Sequence, residues 1–131
     1  MKKMHFISIR CCALLSLLCT ATTIAAHEIV AVPKTTAEIC SQLGEIAYWA
    51  ATETFSNNDK RNLNNAILQA GKPNKLRPVI PNSLIDAARK LGVSSHGNAG
   101  PGNANLVAAR ADAIATAMLT YTMCLDGRLS R

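Results

Sequence analysis

The side chains of this chain that can do chemistry are few: five cysteines, three histidines and eight acids among 131 residues. Three cysteines crowd into "CCALLSLLCT", residues 11–20, as Cys11, Cys12 and Cys19. Their C-C-x6-C spacing fits no structural zinc pattern, and no histidine stands at a ligand interval from them. They read as apolar filler. Cys40 and Cys124 lie far apart in sequence, and in an oxidising compartment such a pair is expected to form one disulfide. The bridge would close a loop of about 84 residues, for which the chain-entropy account gives near 4.5 kcal/mol as an upper figure.

His27 and His96 offer one metal chemistry. A chain cut after Ala26 would begin at His27, whose free amine and imidazole, with His96 as a third nitrogen, could hold copper. Against this stand their separation in sequence and the simpler fate of two solvated side chains. Copper binding by His27 and His96 is therefore the second reading, and no metal or cofactor site is assigned.

The acids are Glu28, Glu38, Glu45, Glu53, Asp59, Asp86, Asp112 and Asp126. Most suit structural roles, at helix starts (Glu38, Asp86) or a helix end (Asp126). Glu45 and Asp112 sit on the two longest helical patterns and could meet as a carboxylate pair, but nothing else converges on them. "GNAGPGNANL" resembles a phosphate cradle only in its glycines: it lacks G-x-x-x-x-G-K-[ST], and no strand precedes it. No catalytic residue is named, and an enzyme is not expected.

One segment reads as a contact surface. In "GKPNKLRPVIP", residues 71–81, Lys72, Lys75 and Arg77 place three positive charges within six residues. Pro73, Pro78 and Pro81 restrict the backbone, so ordering the segment on binding costs less entropy than ordering a free loop. Val79 and Ile80 would supply an apolar anchor or tuck into the core. Lys72, Lys75 and Arg77 are the candidate partner-binding residues, expected to be replaceable without loss of thermal stability.

These residues must be positioned by some framework. Lys2, Lys3 and Arg10 precede an apolar run, and "TATTIAA" follows it, the order of a secretory signal peptide cut after Ala25 or Ala26. That run is too short to span a bilayer, which needs about 20 apolar residues. The expected organisation is a signal peptide over 1–26, an extended leader over 27–35 and one domain over 36–131. Of the 14 lysines and arginines, three fall in the signal, leaving 11 against 8 acids, a net +3. That balance in an exported chain argues against nucleic acid as a partner.

The remainder reads as four helices. Thr35 and Glu38 form a capping-box pattern ahead of a stripe of Ile39, Leu43, Ile46 and Ala50. A second helix, from about Lys60 to Ala70, shows Leu63, Ala66, Ile67 and Ala70 on one face and stops at Gly71–Pro73. Asn82 or Ser83 caps a third, ended by Gly92. The fourth runs from about Ala104 to Asp126, closed by Gly127, with a stripe of Val107, Ala111, Ile114, Met118, Tyr121 and Leu125. Its many alanines would let it approach the first helix closely, so both long helices are expected to spend their apolar faces on each other.

The expected fold is all-α: a small helical bundle of two long antiparallel helices clamped by Cys40–Cys124, with two short helices. The expected function is that of a periplasmic or secreted non-catalytic protein that binds another envelope or secreted protein, as an inhibitor, immunity factor or secretion or envelope accessory. No stable membrane insertion is expected once the signal is removed.

Overall fold

The computed structural model describes residues 33–95 and 106–129, and among them every regular element is helical. The helices are α1 (Lys34–Thr52), α2 (Asn57–Ala70), α3 (Asn82–Ser94) and α4 (Leu106–Leu125). The first turn of α1 begins one residue before the expected cap. Pro33 has an extended backbone (φ −54°, ψ 135°) and no side-chain cap bond is made. Its carbonyl accepts the Ala37 N–H at 3.0 Å, so Thr35 is already inside the helix and the capping box with Glu38 does not form.

The Ser56 side chain does cap α2. Its hydroxyl accepts the Asp59 N–H at 3.1 Å and donates to Asp59 Oδ2 at 3.0 Å. The chain then leaves α2 through Gly71 and runs through the proline-bearing connector, where Ile80 N–H donates to Ala70 O at 3.0 Å. Pro81, extended at φ −59°, leads into α3.

Gly92 does not end α3. The helix continues to Ser94, and Gly92 is buried where α3 crosses α1. A Cβ there would stand 2.3 Å from Ala47 O and 2.6 Å from Ala50 Cβ. Its role is close backbone approach, which only a residue without a side chain allows. At the far end of the chain Gly127 has φ +66°, the left-handed stop expected of it, and Arg128 N–H closes back on Met123 O at 2.8 Å.

The core gathers Leu43, Ile46 and Ala50 of α1, Leu63, Ala66 and Ala70 of α2, Ile80 of the connector, Ile85 and Ala88 of α3, and Leu129. Helix α1 is central, packing on each of the other three. Cys40 is joined to Cys124 with their Cα atoms 5.4 Å apart. No helix among the described residues is long and apolar enough to cross a membrane.

The fourth helix departs most from expectation. Most of the stripe expected to face the core is turned away from it: Val107 is 82%, Ile114 53% and Met118 67% exposed and Ala111 is exposed too, while Tyr121 and Leu125 are half-buried. The face laid on α1 is instead the small one, where Ala113 and Thr120 are buried. The reason is the depth of the crossing. An added Cβ on Gly44 of α1 would lie only 3.0 Å from Ala117 O, and at that backbone separation there is room for Ala and Thr but not for Ile or Met. Thr120 can be buried because its hydroxyl donates to Thr116 O at 2.8 Å on its own helix.

Candidate functional site

The two cysteines make one covalent link and nothing more. Cys40 is fully buried and Cys124 half-buried, and neither is available as a thiol. The bridge fixes the start of α1 beside the end of α4.

Three groups of polar side chains are built around that frame. The first lies on the connector. Arg77, expected at the surface with Lys72 and Lys75, is only 4% exposed. Its guanidinium donates to Gln69 O at 2.9 Å, Lys72 O at 3.0 Å, Pro78 O at 3.1 Å and, more weakly, Ala70 O at 3.5 Å. The last carbonyls of a helix have no partners of their own, and a cation there also meets the negative end of the helix dipole. Arg77 thus closes α2 and holds the connector against it. Its Nε alone is buried without a hydrogen-bond partner. Of the three expected contact cations, only Lys72 and Lys75 reach solvent. Ile80 is in the core and Val79 is 49% exposed, so the apolar pair is split as well.

The second group centres on Arg110 of α4. It donates to the Tyr48 hydroxyl at 3.2 Å and to Asp59 Oδ2 at 3.1 Å, and its guanidinium carbon lies 5.7 Å from the Phe55 ring centroid. The Tyr48 hydrogen bond, and then the Asp59 charge, hold the guanidinium in its charged form against the cost of partial burial. Tyr48 sits edge-on to Trp49, ring centroids 4.8 Å apart. This knot fastens α4 to α1 and to the start of α2.

An open groove of about 210 Å³ between α1 and α2 forms the third, lined by Gln42, Glu45, Trp49, Asn62, Asn65, Ala66 and Gln69. Glu45 accepts from Gln42 Nε2 at 3.1 Å and from Trp49 Nε1 at 3.3 Å. Glu45 lines the groove against α2, whereas Asp112 is exposed on α4 and is not among the groove's lining residues. The structure therefore does not assemble the carboxylate pair.

Among the described residues no three His, Cys, Asp or Glu side chains stand close enough to hold a metal. His27 and His96, the candidate copper ligands, lie outside the described residues, as do the segment 1–26 and most of the glycine-rich stretch before α4.

What remains is a surface that sequence reasoning assigned to the core. The outer face of α4 carries Val107, Ile114, Met118 and Leu119, all more than half exposed, and Asp112 is its one charge. Ala108, Ala111, Ala115 and Thr122 fill the space between. A helix apolar on both faces is ordinarily buried on both. The composition of α4 carried that signal: it has apolar residues on both faces and one acid. No protein-family model matches this chain, and neither does any curated protein or solved structure.

Proposed function

We propose that this chain is an exported, non-catalytic protein that works by binding protein through the outer face of α4. The observation that carries the reading is the exposure of large aliphatic side chains along one helix that is already anchored elsewhere. Scattered apolar residues on a surface need no explanation, but a contiguous row on one face is the mark of an interaction site. The face is uncharged save for Asp112 and is backed by the Cys40–Cys124 bridge and by the Arg110 knot. Inhibitor, immunity factor and envelope or secretion accessory are the roles that suit a small rigid module of this kind.

Two finer points belong to the same reading. The long helices run antiparallel, supported by the descending pairs Cys40–Cys124, Gly44–Ala117 and Tyr48–Arg110. Export through a cleaved signal is supported by the charge and hydropathy order of residues 1–26 and by a disulfide that reducing compartments disfavour. A photo-reactive amino acid placed at Met118 in cells that export the protein tests the surface directly. Covalent adducts with protein are expected from Met118 and not from Lys60 on the exposed side of α2. Absence of any adduct at Met118 would end the reading.

A further inference from the structure

We infer that the occupant of the outer face of α4 is the same face of a second copy of this chain, forming a two-fold dimer through an antiparallel α4–α4 contact. The inference rests on the proposal that this face binds protein and names the partner.

The first support is area. A helix of 20 residues is about 30 Å long and 10–12 Å across, so half of its lateral surface is roughly 500 Å². Two copies facing each other would bury up to about 1,000 Å², the level that a specific interface has to reach. A two-fold contact uses one patch twice, so no second surface on the molecule is required.

The second support is shape. At 100° per residue, Ala108, Ala111 and Ala115 run down the middle of the exposed face. Ile114 and Met118 flank them on one side and Leu119 on the other, which makes a shallow trough between aliphatic walls. An antiparallel copy centred on Ala115 brings each Leu119 level with Ala111 of its mate, large against small. The small residues allow the helices to approach to about 9 Å, within the observed range.

Charge supplies the third. The face has no cation, and Asp112 lies at its rim, where an antiparallel neighbour leaves the carboxylate in water. A partner rich in either charge would have to strip its ions of water with nothing here to compensate them. A second copy brings the same uncharged surface.

Sedimentation equilibrium of the exported protein over two decades of micromolar concentration is expected to show a reversible dimer. Ala115→Arg is expected to leave a monomer whose helical circular dichroism is unchanged, since Ala115 is exposed. Ala115→Cys provides the positional test. With each Cα about 2.3 Å from its own axis, helix axes about 9–10 Å apart put two residues on the shared axis with their Cα atoms about 4.4–5.4 Å apart, inside the roughly 4.4–6.8 Å that a disulfide spans. Oxidation should then give a covalent dimer on a non-reducing gel, whereas Lys60→Cys, on exposed α2, should not. A wild-type monomer at all concentrations would overturn the inference, as would equal cross-linking of the two cysteine variants. If the Met118 photo-adducts contain a different protein and none contains this chain, self-association is overturned while binding at α4 stands. If Met118 gives no adduct and the protein is monomeric, both fall.

Discussion

In the connector between α2 and α3 a guanidinium is 4% exposed, while on the outer face of α4 Val107 and Met118 are 82% and 67% exposed. By hydrophobicity alone the two regions would be exchanged. The difference lies in what surrounds each. The end of α2 offers carbonyl oxygens that no helical N–H reaches, and Arg77 carries five donors on a stem long enough to reach several of them. The surface that α1 offers to α4 is closed by the approach of Gly44 to Ala117, and it accepts only small side chains. Burial here follows converging carbonyl oxygens in one place and backbone separation in the other. Transfer free energy chooses only where neither intervenes.

The largest test of this contrast removes the clamp that holds α4 against α1. Replacing both Cys40 and Cys124 by Ala is expected to lower stability by about 4 kcal/mol in urea unfolding, because the bridge closes a long loop. Loss of less than about 1 kcal/mol would mean that the small-residue contact is sufficient without the clamp. Next in size is Ala113→Leu. Ala113 is 1% exposed, and three further carbons there must displace α1 or leave their rotamer minima, at a cost of about 3 kcal/mol. A neutral or stabilising effect would show that the α1–α4 gap has spare room, and the packing account of α4 would fail.

The sequence carried the elements well and their facing poorly. Leu43, Ile46, Leu63 and Ala66 lie inside as their helical spacing required. Cys40 and Cys124 pair as the lone distant cysteines should. On α4 the same rule chose wrongly between two apolar faces, since spacing weighs size and not the distance to a neighbour. Gly92 read as a stop because glycine after an apolar run usually is one; only the crossing of α3 over Ala47 shows otherwise. Arg77 read as surface charge because the carbonyls that claim it come from residues on both sides of it, and no local pattern records their convergence.

The connector gives the third prediction. Arg77→Leu keeps an apolar stem but removes the donors from four carbonyl contacts, and about 2 kcal/mol of stability should go with them. Replacing Lys72 and Lys75 together by Ala, on the same segment, should change the unfolding midpoint by no more than about 0.5 kcal/mol. Equal effects for the two variants would return Arg77 to the surface with its neighbours.

The smallest effect is expected where intuition about a core isoleucine predicts a large one. Ile114 follows Ala113 directly on α4, yet it is 53% exposed. Truncating a buried Ile to Ala typically costs about 2–5 kcal/mol, through lost transfer free energy and the cavity left behind. At Ile114 the removed atoms already touch water, no cavity forms, and Ala has the higher helix propensity by a few tenths of a kcal/mol. Ile114→Ala should therefore unfold within about 0.5 kcal/mol of the parent when read at dilution, where copies are separated. At high concentration the same variant should lose whatever extra stability self-association gives, because a partner that binds only the folded form adds to its apparent stability by mass action. A loss of about 2 kcal/mol at dilution would place Ile114 in the core of the single chain, and the outer face of α4 would no longer be available to a partner.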